Sequence, residues 1–210
     1  MKNNFENIMV WPSPFIFWTK IENHNELKDR LLPQIKERIL NDQLHNSPGN
    51  VHRIPGEMPS VWQCEVITSY FNRKEEEKIF DEEIIKSIIV DPLKKFFNNP
   101  NCPVKNKPKK TKLKEIWFNY YKPGYWQEVH SHTGTTYSGI YILELNEPNT
   151  TKFLNYSMQK YNYSSNKLEM EYDTKHIEEG NVIIFPSELP HSVEISTQNR
   201  CTVSFNILCE

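Results

Sequence analysis

The sequence predicts a mainly β protein with flanking helices, an α+β arrangement in which a β-sandwich or barrel occupies the second half of the chain. Two observations predict it. From residue 116 onward the chain breaks into short β-like runs, at 116–122, 137–145, 152–157, 167–172, 181–186, 191–196 and 200–208, separated by turn residues. Helical spacing of apolar residues, by contrast, is confined to the first half, so the helices should pack together on one outer face of a sheet.

The elements follow in order. The segment 11–18, Trp-Pro-Ser-Pro-Phe-Ile-Phe-Trp, reads as an edge strand, where prolines cost few ladder hydrogen bonds. Asn23 or Asn25 can cap a helix running to about Asn41, with Leu27, Leu31, Ile35 and Ile39 at helical spacing. Residues 45–59 form a polar loop. A second helix is expected over 81–97, burying Ile84, Ile88, Leu93 and Phe97. The stretch 98–114 carries Lys105, Lys107, Lys109, Lys110, Lys112 and Lys114. No aromatic residue interleaves with these lysines, so it reads as a solvated loop rather than a nucleic-acid contact. We expect a single domain over 1–210: residues 1–110 support, and 111–210 form the β core with the site.

Composition narrows the class. A net charge of −2 argues against a generic polyanion binder. Ten Tyr, eleven Phe and five Trp supply a packed core. Alanine is absent, which we read as codon bias. Cys64, Cys102, Cys201 and Cys209 show neither metal-site nor redox-motif spacing. No apolar run reaches the roughly 20 residues that span a bilayer, and the N-terminus lacks a signal-peptide pattern. A cytoplasmic protein with free thiols and no membrane partner is the expectation.

Three histidines carry the chemistry. His130 and His132 stand two apart in Glu-Val-His-Ser-His, and residues two apart on an extended chain point the same way. His191 follows an apolar strand that stops at Pro186. Together they can present three imidazole nitrogens to one metal and leave positions open for small ligands. On the final strand Arg200, Thr202, Ser204 and Asn206 alternate with Cys201, Val203, Phe205 and Ile207. The polar set needs a wet cavity or a bound polar ligand. Arg200, with its planar fork, suits a carboxylate.

At this point the sequence resembles the 2-oxoglutarate/Fe(II)-dependent oxygenases, nearest to the His-x-His branch common in marine phages and bacteria. The landmarks run in family order: Tyr121-Lys-Pro-Gly124 before the first histidine, Ser138-Gly-Ile-Tyr-Ile-Leu143 after it, Gly180 to Ser187 leading to His191, and Arg200-Cys-Thr-Val-Ser-Phe-Asn206 at the end. They cover roughly residues 110–208. The resemblance implies a double-stranded β-helix, jelly-roll and cupin-like, with Fe(II), 2-oxoglutarate as co-substrate and O2. It implies that His130 and His191 are iron ligands and that Arg200 and Thr202 anchor the distal carboxylate. Tyr121 would contact that carboxylate and Tyr141 would line the same pocket. Most of the superfamily has His-x-Asp; here His132 stands at the third position, with Glu128 as a substitute. The reaction implied is oxidation, in the form of hydroxylation, of a small molecule or protein side chain, with release of succinate and CO2. Two alternatives stand: a cupin-like three-histidine dioxygenase without 2-oxoglutarate, and a non-catalytic β-helix binding or structural module.

Overall fold

The computed structural model describes residues 8–10, 15–41, 64–70, 79–154, 160–162, 167–169, 171–172 and 174–210. The chain runs β1 (Ile8–Val10), β2 (Phe15–Lys20), α1 (His24–Asn41), β3 (Cys64–Glu65), β4 (Ile67–Thr68), α2 (Glu82–Ile85), a π-helical turn (Lys86–Val90) and α3 (Asp91–Asn98). The β-rich half follows with β5 (Thr111–Tyr121), β6 (Trp126–His130), β7 (Tyr137–Leu145), β8 (Thr151–Leu154), β9 (Lys160–Asn162), β10 (Lys167–Glu169), β11 (Glu171–Tyr172), β12 (Asn181–Pro186), β13 (His191–Val193) and β14 (Arg200–Cys209).

Two antiparallel sheets face each other. The larger has strand order β1-β2-β12-β7-β14-β5-β4 and the smaller β11-β8-β13-β6-β3, with β9 and β10 as a separate ribbon. Sequence neighbours are split between the sheets, as a jelly roll requires. The larger sheet is covered on both faces, and its strands alternate accordingly. Tyr141, Leu143, Val182, Ile184, Val203 and Phe205 meet Leu31, Ile35, Ile88 and Phe96 of the helices. On the opposite face Ile140, Ile142, Ile183 and Phe185 meet Phe153 of the smaller sheet. The fully apolar run Val182 to Phe185 is the sequence mark of this two-sided burial.

Local sequence explains the helices. The Asp81 side chain accepts from the Ile84 N–H at 3.0 Å and caps α2. Pro92 has no N–H to give, and the π turn over the preceding residues absorbs the interruption. The turn also shifts the buried face by one residue. Phe96 is fully buried, whereas Phe97, expected on that face, only packs at its margin. Gly139 is required by close approach: a Cβ there would lie 2.1 Å from the Phe205 ring on the paired strand.

Several expectations change. The N-terminal strand is not an edge, because β2 lies between β1 and β12; residues 11–14, with both prolines, lie outside the described set, as does the loop 45–59. The basic stretch is a loop only to Lys110. Thr111 to Lys114 already belong to β5, paired with Ile207 to Cys209 across a bulge. Its lysines alternate with Leu113, which is why the pattern reads as a loop from composition. Strands β3 and β4 have no anticipated counterpart; at two residues each they are too short for a period to show.

Candidate metal centre and co-substrate cavity

The site lies between the sheets. Strand β6 brings His130 to its last position, and β13 places His191 directly opposite it in register. His132 lies two residues past the end of β6, where its N–H donates to the Ser187 carbonyl at 2.8 Å. The ring centroids stand 4.2 Å apart for His130 and His191, 5.1 Å for His132 and His191, and 5.4 Å for His130 and His132. One nitrogen from each ring lies within 4.8 Å of the others, a spacing that a single metal ion can bridge.

Hydrogen bonding decides which nitrogens face inward. His130 Nδ1 is 2.9 Å from the Glu128 carbonyl and His191 Nδ1 is 3.0 Å from the Leu189 carbonyl. A carbonyl only accepts, so both Nδ1 atoms carry the proton and Nε2 is the nitrogen with the lone pair in each ring. His132 Nδ1 is 2.7 Å from Asn206 Oδ1 and 2.9 Å from Ser138 Oγ. Asn206 Nδ2 in turn donates to the Glu115 carboxylate at 2.6 Å. An ionised carboxylate only accepts, which orients the amide and makes His132 Nδ1 a donor too. All three rings thus offer Nε2 to one point.

Burial keeps the rings neutral. Desolvation pushes His130 down to about 4, and the backbone bond to Glu128 only partly opposes it. Desolvation likewise lowers His191 well below its ordinary value, aided by the other two histidines. It also lowers His132, against the Asn206 bond and the Glu115 charge. Phe185 and Phe153, with ring centroids 4.9 and 5.9 Å from His191, supply the apolar wall. Neutral imidazoles are what a divalent ion needs, so the donor set fits Fe(II).

The same cavity, of about 200 Å3, holds the second group. Arg200 is 1% exposed. Its terminal nitrogens donate to the Thr150 and Thr151 hydroxyls, the first at 2.8 Å, and its Cζ lies 5.5 Å from the Tyr121 ring centre. Among the described residues it is in ion-pair contact with no carboxylate, and its buried Nε has no partner. A buried cation in this state is costly unless an anion joins it. Thr202, Ser204 and Asn206 follow it along the cavity wall. Tyr121, paired with Arg200 across the strands, donates to Gln127 Oε1 at 2.8 Å. Burial raises its phenol well above the ordinary range, against the lowering effect of Arg200, so it remains a donor. Arg200 therefore presents a buried cationic fork to the cavity, of the kind that can meet a carboxylate.

One sequence expectation is corrected. Tyr141 does not line the cavity. Residue 141 falls on the helix-facing side of β7, and its hydroxyl bonds His24 Nδ1 at 2.7 Å. Strand alternation decides this: Ile140 faces the cavity, so its neighbour cannot. Among the described residues the metal-type cluster contains the three histidines alone; Glu128 contributes its backbone carbonyl. Sequence reasoning missed Gln127, Thr150 and Thr151, which carry no motif. It found Asn206 only as part of a wet face.

The fold and site define a jelly-roll protein with a cluster of three histidines that could hold a metal ion. Residues 115–206 match the family described as "Putative 2OG-Fe(II) oxygenase". No curated protein sequence matches the chain. Similar solved structures include a prolyl hydroxylase of Trichoplax adhaerens in complex with a hypoxia inducible factor peptide fragment (TM-score 0.55, 12% identity, covering 92% of this chain and 83% of that one). They also include a viral collagen prolyl hydroxylase of Paramecium Bursaria Chlorella virus-1 in its 2OG complex (TM-score 0.51, 11% identity, 96% and 99%). The alpha ketoglutarate dependent epimerase SnoN from nogalamycin biosynthesis is a third (TM-score 0.54, 8% identity, 92% and 76%). At these identities the likeness concerns the fold.

Proposed function

We propose that the protein hydroxylates an organic substrate, with Fe(II) held by His130, His132 and His191 and 2-oxoglutarate held at its distal carboxylate by Arg200, Thr202 and Tyr121. The carrying observation is the pairing of three converging histidine nitrogens with a buried guanidinium whose Nε has no hydrogen-bond partner, in one cavity. Bound Fe(II) and 2-oxoglutarate together supply oxidising power from O2, with release of succinate and CO2. The chain's own residues bind, orient and dehydrate. Arg200 meets the carboxylate with charge-assisted hydrogen bonds. Its fork is held in place by Thr150 and Thr151. Tyr121 and Thr202 add hydroxyl donors, and Phe153 and Phe185 keep water from the histidine side.

Thr68, Tyr70, Glu115 and Trp117 also line the cavity, and we place the substrate beside them. We place it among small molecules and protein side chains; a peptide complex and a biosynthetic epimerase both occur among the similar folds. A cytoplasmic setting agrees with four free cysteines, and no described helix is long and apolar enough to cross a membrane.

Anaerobic titration with Fe(II) and then 2-oxoglutarate tests the proposal. The weak visible charge-transfer band of the chelate should appear in the wild type and vanish in Arg200→Ala. Iron binding without the band would favour a cupin-like dioxygenase that uses no 2-oxoglutarate, and no iron binding would favour a non-catalytic module.

A further inference from the structure

Three neutral imidazoles leave a divalent cation with its full charge in a desolvated cavity, a costly state without a nearby anion. Among the described residues lining that cavity, Glu115 is the one carboxylate. It does not reach the cluster directly. Its Oε2 accepts from Asn206 Nδ2 at 2.6 Å, and Asn206 Oδ1 accepts from His132 Nδ1 at 2.7 Å. Strand geometry holds the chain of contacts: Glu115 and Asn206 are register partners on β5 and β14. Ser138 Oγ, 2.8 Å from Asn206 Oδ1 and 2.9 Å from Ser187 Oγ, braces the amide from β7.

Among the three rings His132 is singular. His130 and His191 are locked by backbone carbonyls two residues before them, which no side-chain substitution removes. His132 is locked by a side-chain amide whose orientation depends on a charge. We propose that Asn206 and Glu115 are positioning residues that fix His132 in its Nδ1-protonated form and pass the carboxylate's charge through one amide to the metal centre. The inference rests on the reading of His132 as a metal ligand. It gives a neutral ligand set an anionic support one hydrogen-bonded group further out, and polarisation along such a chain raises the basicity of the ligating Nε2.

The test uses the full chain, 15N-labelled at histidine, and Co(II) as the metal probe. In the metal-free wild type, long-range proton–nitrogen spectra should show His132 as the pure Nδ1-H tautomer. Asn206→Leu should mix its tautomers, leave His130 and His191 unchanged, and weaken Co(II) binding roughly 10- to 100-fold. Glu115→Gln, at a half-buried strand position that tolerates an isostere, should weaken binding less than Asn206→Leu. The double variant Glu115→Gln/Asn206→Asp reverses the order of amide and carboxylate and should restore both tautomer and affinity to near wild type. A His132 that stays locked in Asn206→Leu, or affinities within twofold across the series, overturns the relay. A locked His132 in a wild type that binds no Co(II) overturns the metal reading instead.

Discussion

Arg200 separates stability from function at the scale of one residue. Among the described residues it is a buried cation with no carboxylate in ion-pair contact, so it contributes little to holding the fold together. Arg200→Met should therefore leave the melting temperature of the metal-free protein nearly unchanged. The same change should abolish the rise in melting temperature that 2-oxoglutarate produces on the metal-loaded wild type. A thermal shift series with and without 2-oxoglutarate reads both; a large drop in the free variant would show that Arg200 is chiefly structural. The histidines set a pH dependence. Their folded values are depressed by burial, to about 4 for His130. The unfolded chain, with ordinary values near 6.5, therefore binds more protons in that window. Stability of the metal-free protein is fully present above about pH 6.5 and should be lost as pH falls toward about 4. Denaturant midpoints measured at pH 7.5, 6, 5 and 4 check the sign. Tripling the histidine changes to alanine should flatten the decline.

At the scale of elements, β7 and β14 do most of the positioning. Each presents one face to the helices and the other to the cavity, so a single strand pair carries core and site together. Gly139 sits beneath the Phe205 ring at their crossing point. Gly139→Ala should destabilise the protein by about 1–3 kcal/mol, the usual range for overpacking. Because Ser138 and Asn206 flank that contact, it should also loosen the His132 lock. Urea unfolding measures the first effect; an unchanged midpoint would show that Phe205 can move aside freely. The π turn between α2 and α3 illustrates the same coupling on the outer layer. Its shift of one residue places Phe96 against Phe15 and Phe17 of β2, with ring centroids 5.0 and 5.4 Å away.

For the whole molecule, the ligand groups come from different parts of the chain: His130 and His132 at the end of β6, His191 on β13 of the same small sheet, and their support from β14 and β5 of the larger one. A metal that bridges the three histidines would bind the folded state alone, with the larger sheet engaged only through the hydrogen bonds to His132. At a metal concentration 100 times Kd the gain is about 2.7 kcal/mol. Chelator-treated protein should unfold at correspondingly lower denaturant, and restored metal should recover the difference. Equal midpoints with and without Co(II) would show that the sheets are held without it.

The sequence by itself determined the local alternatives. Period-two alternation over 200–207 assigned Arg200, Thr202, Ser204 and Asn206 to one face, and the structure places all four on the cavity wall. The run at 181–186 and the spacing His130, His132 and His191 were legible for the same reason: side-chain direction and ligand chemistry are properties of a few adjacent residues. Phase was harder. Tyr141 shares a motif with cavity residues yet faces His24, because the register that sends Ile140 inward is set by pairing with β12 and β14. Tertiary structure alone decided the partners. Thr150 and Thr151 beneath Arg200, Gln127 beside Tyr121, and the line from Glu115 through Asn206 to His132 join residues from 6 to 91 positions apart. No local period encodes such contacts. They exist because two sheets close over one cavity, and burial makes an unpaired polar group there costly.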